Sequence, residues 1–173
     1  MKFIFAILLL LTSFHSLCQQ RLATATYTSD NSHGVGIILD NDTWLIEPKY
    51  DKIVFWHNHF SVQENGNYGC IDTNGRLIIQ PKYQSVLAYD NYILLKSKDT
   101  TYGATKLNGE LLLEPIYSWI TEEDGSLTYK IDGKTGLVDT AGTNLLNPVF
   151  DEIRFLDAIV FVQRNGLWGE IKF

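Results

Sequence analysis

The chain has 173 residues, 45% of them hydrophobic, with 20 acidic against 14 basic side chains and a net charge of −6. That acidic balance argues against nucleic acid as a partner, because affinity there comes mainly from neutralising phosphates, and equally against an anionic membrane surface. The length suits one domain with a substantial core.

In chain order, Lys2 precedes an apolar run from Phe3 to Leu11 and a short polar stretch from Thr12 to Cys18. This is the layout of a secretory signal peptide. The run is too short for a bilayer span, which needs about 20 apolar residues. Ser16 and Cys18 are small residues placed for a cut before Gln19. The expectation is therefore a signal peptide at 1–18 and a mature chain at 19–173, secreted or periplasmic. Lipidation of Cys18 is the lesser alternative, since Leu17 stands where a lipobox carries a small residue. Cleavage removes one lysine and no acid, shifting the net charge to −7, and leaves Cys70 as the single cysteine. No intramolecular disulfide is then available.

The mature chain is organised by a period. Its four prolines, Pro48, Pro81, Pro115 and Pro148, are spaced by 33, 34 and 33 residues. Each lies twelve residues after a glycine (Gly36, Gly69, Gly103, Gly136), and Gly169 continues the series. The clearest unit is NGNYGCIDTNGRLIIQPKYQSV at 65–86. Asn65-Gly66, Asp132-Gly133 and Asn165-Gly166 are dipeptides that tight hairpins prefer, because both central residues need positive φ. A second turn follows at Asn74-Gly75, Asn108-Gly109 and Ala141-Gly142. Short strand-like runs lie between, at Phe60–Glu64, Tyr68–Thr73 and Arg76–Gln80, giving three strands per repeat. An aliphatic pair comes next, then the proline, which is expected to end the ladder for want of an N–H. An aromatic (Tyr50, Tyr83, Tyr117, Phe150) and an aliphatic residue (Ile53, Val86, Ile120, Ile153) close each unit.

These features together resemble the WG repeat. YGCIDTNGRLIIQPKYQSV and WLIEPKYDKI are the best copies, and Trp168-Gly169 carries the motif in its literal form. Val35, Tyr68, Tyr102 and Thr135 replace the tryptophan elsewhere, and Lys106 replaces the usual Asp. The resemblance covers essentially the whole mature chain. It implies an exported bacterial protein of a family without shared catalytic residues.

In a repeat array, whatever recurs in phase is explained by packing between neighbours, so candidates for function are the features that break phase. Four stand out: Trp56, His57, His59 and Trp119. The two histidines, in VFWHNHF at 54–60, would share a face if they lay on a strand. Zinc would need one or two further ligands, and no motif supplies them, so neither a metal nor another cofactor is expected. Val54 to Asn58 is read first as a solvated link between repeats. Cys70 fills a slot held elsewhere by Ile37, Ala104 and Leu137, which marks a small buried hydrophobe. Glu122-Glu123-Asp124 reads as a solvated turn, and no nucleophile elbow or phosphate loop occurs.

The expected fold is all-β, a tandem array of three-stranded antiparallel meanders of about 33 residues. Repeats fall at about 21–54, 55–87, 88–121 and 122–154, with a terminal half repeat at 155–173, all in a single domain. An open array is favoured over a propeller-like closed ring. The expected function is a non-catalytic protein-binding or scaffolding surface for a protein or cell-envelope component, with no integral membrane span. A cell-envelope glycan binder is the alternative, and an enzyme with an unseen site comes third.

Overall fold

A computed structural model describes residues 5–6, 23–29, 32–39, 42–156 and 159–172. The expected signal peptide lies outside these residues apart from Phe5 and Ala6. All regular structure described is β, in five sheets that follow one another along the chain.

Sheet one contains β1 (Phe5–Ala6), β2 (Ala23–Ser29), β3 (Ser32–Ile38) and β4 (Trp44–Tyr50). Sheet two contains β5 (Lys52–Trp56), β6 (His59–Glu64), β7 (Asn67–Asp72) and β8 (Leu77–Tyr83). Sheet three runs through β9 (Ser85–Ala88), β10 (Ile93–Lys96), β11 (Tyr102–Thr105) and β12 (Leu111–Tyr117). Sheet four is β13 (Trp119–Glu123), β14 (Ser126–Ile131), β15 (Lys134–Asp139) and β16 (Asn144–Phe150). Sheet five is β17 (Glu152–Leu156), β18 (Ile159–Arg164) and β19 (Leu167–Ile171). None of the sheets closes on itself, and the repeats fit the tandem all-β array that the period predicts.

One detail differs from the three-stranded expectation. A single residue after each aromatic turns the chain, and a further strand begins at once. Asp51, Gln84, Ser118 and Asp151 occupy these corners, and their N–H groups donate to Gln63, Lys96, Lys130 and Gln163 of the following sheet. The segment Val54–Asn58, expected as a link, is therefore divided: Val54, Phe55 and Trp56 belong to β5, the first strand of sheet two, and only His57 and Asn58 lie outside it. The inner residues of β5, Ile53 and Phe55, are half-buried while Val54 and Trp56 face outward. The alternation is a strand pattern, hidden in the sequence because both faces are apolar.

The prolines depart from expectation in a second way. They lie inside β4, β8, β12 and β16, which sit at sheet edges where a missing N–H is tolerated. Around them the register slips: Ala104 faces Leu113 but Tyr102 faces Tyr117, and the same jump separates Leu137–Leu146 from Thr135–Phe150. The bulge lets each strand run past its proline instead of ending there.

The chain divides into two compact units, residues 1–82 and 83–173. In the first, Ile37, Ile46 and Tyr50 of sheet one pack on Phe60, Val62 and Ile71 of sheet two. In the second, Ala104 and Leu113 of sheet three, with Tyr92 just before β10, meet Ile120, Leu127, Tyr129 and Val138 of sheet four. Leu137 then meets Ile153, Val160 and Val162 of sheet five. Within each unit a repeat thus completes its core against the next, since one small sheet cannot bury its own apolar face.

The second turn of each repeat shows why Asp recurs there. Asp72 accepts the N–H groups of Asn74 and Arg76, both at 2.9 Å, and Asp139 accepts that of Thr143. Where Lys106 replaces the Asp, Asn108 takes over by accepting the Glu110 N–H, and Lys106 pairs with the Glu110 carboxylate at 2.8 Å.

Candidate functional site

Three of the four phase-breaking residues meet on one hairpin. His57 and Asn58 form the two-residue turn between β5 and β6, with φ of 45° and 58°. Two successive positive φ values are the requirement of a type I′ hairpin, so the expected loop reduces to these two residues. Trp56 and His59 face each other as the last cross-strand pair before the turn.

The two histidines do not lie on one strand and do not share a face, because His57 is a turn residue and His59 belongs to β6. His59 is buried, and its Nδ1 donates to the His57 carbonyl oxygen at 2.8 Å. That bond fixes the tautomer and makes His59 a strut for the turn. His57 is exposed, with its ring edge-on to Trp56, the centroids 5.1 Å apart. Among the described residues no three His, Cys, Asp or Glu side chains converge as metal ligands.

Trp56 is 60% exposed at the end of edge strand β5. Two residues before it on the same outer face lies Val54, also exposed. Phe60 packs beneath against Phe55, ring centroids 5.0 Å apart, and anchors the hairpin from the core side. An apolar tip on a rigid hairpin can stack on or bury against a ligand.

Trp119 belongs to the second compact unit, on β13, where it is 46% exposed and faces Lys130. Its structural counterpart in sheet two is Lys52 and not Trp56, because Ile120 and Ile53 hold the equivalent inner position. The two tryptophans are genuinely out of phase. Val54 was missed in the sequence, as were Leu87 and Tyr89, which are exposed at the matching outer positions of β9 and beyond its end. The signal was present as apolar residues two apart in IVFW and VLAY.

Cys70 is buried, and burial first, then the Asp72 charge, pushes its thiol up to about 12. A thiol held protonated in this way is not a nucleophile. Glu122 and Glu123 are exposed on β13, and Asp124-Gly125 forms the turn after them. Glu122 accepts the Gly125 N–H at 2.9 Å, a structural role.

A sequence profile described as "WG containing repeat" matches residues 36–68, 68–92 and 136–168, together just over half of the chain. No curated protein matches it. Solved structures with similarity include the computationally designed Ika8 protein, at 15% identity and a TM-score of 0.36 over 91% of this chain and 57% of that one. BamB from Moraxella catarrhalis gives 13% and 0.37 over 83% and 55%. The WD40 β-propeller domain of Doa1 gives 14% and 0.32 over 88% and 64%. The chain thus spans less than two thirds of each. Among the described residues no helix is long and apolar enough to cross a membrane.

Proposed function

This chain belongs to the WG-repeat family, and on that frame we propose that it is an exported, non-catalytic module that presents a binding surface to a protein of the cell envelope. The observation that carries this reading is the tip of the β5–β6 hairpin. Trp56 there is 60% exposed, backed by exposed Val54 and by the His57 ring. Aromatic anchors of this kind dominate protein interfaces, and a hairpin pinned by buried Phe60 and His59 presents one without an ordering cost. Trp119 offers a second exposed anchor in the other compact unit.

The test is capture from envelope extract by immobilised protein, run beside Trp56→Ala and Trp119→Ala variants. One protein species retained by the native chain and lost with Trp56→Ala supports the reading. Equal capture by all three forms removes the hairpin from consideration. The same exposed indoles favour glycan stacking as the second reading. A saturable change in tryptophan fluorescence with envelope glycans, and no captured protein, would select it.

A further inference from the structure

Asparagine stands before glycine at 65–66, 74–75, 108–109 and 165–166, and the fold treats the four steps in two ways. Such a step can modify itself, because the glycine nitrogen, with no side chain beside it, can close on the asparagine amide carbon. The reaction needs that nitrogen uncommitted and the asparagine amide able to swing toward it.

In the second turn of a repeat these needs are not met. The Gly75 N–H donates to the Asp72 carbonyl oxygen at 3.1 Å, and the Gly109 N–H to that of Lys106 at 3.0 Å. The Asn108 side chain is tied as well, its Oδ1 accepting the Glu110 N–H at 2.9 Å. Gly75 is walled in by sheet one, where a Cβ would stand 2.4 Å from the Leu45 carbonyl oxygen.

The hairpin tips are open. Asn65 and Asn165 are exposed, with φ of 52° and 53°, and nothing lies within 4 Å of a Cβ built on Gly66 or Gly166. Each glycine N–H is instead turned toward the aspartate at the corner of its sheet. Gly66 donates to Asp51 Oδ2 at 3.4 Å, and Gly166 meets the Asp151 carboxylate. The two corners are unequal. Lys134 pairs with Asp151, the Asn165 N–H donates to it at 2.6 Å, and together they hold its carboxyl below the usual carboxylate range. Among the described residues no cation pairs with Asp51, which is exposed. A carboxylate whose charge is uncommitted is the better proton acceptor.

We propose that Asn65 is a self-modification site, converted to aspartate or isoaspartate through attack by the Gly66 nitrogen with Asp51 as general base. Asp51 takes the Gly66 amide proton as the bond from that nitrogen to Asn65 Cγ forms. The Cγ–Nδ2 bond breaks, and the side-chain nitrogen leaves as ammonia with the proton Asp51 held. Water then opens the ring imide. Breaking the bond to Cγ leaves aspartate, and breaking the bond to the backbone carbonyl carbon leaves isoaspartate. The second product runs the chain through Cβ and adds an atom to the turn that the Glu64–Asn67 pair closes. The type I′ geometry is then lost, so this step limits how long the β6–β7 hairpin keeps its form. The site does not involve Trp56, and loss of either leaves the other standing.

The test ages the full chain at mildly alkaline pH and follows each Asn-Gly peptide by mass spectrometry. The signal is the mass gain of an amide turned carboxyl, with isoaspartate told from aspartate by fragmentation. Asn65 should convert fastest and Asn165 next. Asn74 and Asn108 should be slower than Asn65 by about tenfold or more, since their turns must first open locally. In denaturing urea the four rates should converge. Asp51→Asn, with circular dichroism matching the native form, should slow Asn65 by about threefold or more and leave Asn165 unchanged. If that variant unfolds, Lys134→Met carries the same question, because freeing Asp151 should speed Asn165 toward the rate of Asn65. Asn65 converting no faster than Asn74 in the folded chain overturns the site. An unchanged Asn65 rate in folded Asp51→Asn, or an unchanged Asn165 rate in folded Lys134→Met, overturns the role given to Asp51.

Discussion

Pro81 lies over Gly69: a Cβ on that glycine would stand 2.9 Å from the proline nitrogen and 2.5 Å from the Ile79 carbonyl oxygen. The twelve-residue interval between the two is therefore a contact distance written into the chain. The intervening turn returns the strand so that its bulge crosses the one position without a side chain.

Gly69→Ala should cost about 1–3 kcal/mol, the range of a steric insertion into packed structure, and lie toward its upper end because the backbone it meets cannot step aside. Gly169→Ala, with open space around it, should stay within about 0.5 kcal/mol of the native chain. Urea denaturation of the two variants separates the contact from any general intolerance of alanine in strands.

Thr100 has φ of 65°, a left-handed conformation that costs a β-branched residue more than most. It lies exposed in the turn between β10 and β11, its N–H donating to the Ser97 carbonyl at 3.2 Å. Thr100→Gly should raise stability by about 0.5–1 kcal/mol, the relief of strain less the greater chain entropy of glycine. A lower urea midpoint for the variant would refute this.

Stability should fall on the alkaline side. Burial pushes the Cys70 thiol from 9.0 to about 12, and burial followed by the Tyr89 and Glu122 charges pushes the Tyr92 hydroxyl from 10.0 to about 12. Tyr117 and Tyr129 are raised as well, burial again leading. The unfolded chain releases these protons first, so their contribution is whole below pH 9 and is lost between 9 and about 12. Thermal midpoints measured across that window should decline, and Cys70→Ala should remove the part that begins near 9. In the folded state at pH 8 Cys70 should resist thiol reagents, reacting only on unfolding.

The two aromatics at either end of the hairpin tip should separate stability from binding. Phe60 is 2% exposed, and Phe60→Ala should cost about 3–5 kcal/mol. Trp56→Ala should change stability by no more than about 0.5 kcal/mol while abolishing capture of a partner at this tip. A Trp56→Ala variant that unfolds early would make the exposed indole a core residue and sink the interface reading.

The repeat, its all-β character and its buried aliphatic positions were legible in the sequence, because packing between neighbouring copies forces the same residue types into the same phase. Asn-Gly and Asp-Gly announced their hairpins through the backbone conformation they alone tolerate cheaply. What the sequence concealed was anything that depends on which face a residue takes. From Ile53 to Trp56 the strand β5 is apolar on both faces, so it carried no period, and Val54 to Asn58 read as a link. His57-Asn58 lacks glycine, so its type I′ turn went unseen, and with it the burial of His59 beneath the turn. The proline bulge likewise needed the fold: a missing N–H predicts an interrupted ladder, but only the pairing of β7 and β8 across Gly69 lets the strand cross the interruption and continue. Local preference determines how each repeat begins and turns; register and edge position, set by contacts between strands, decide which of its residues remain for a partner.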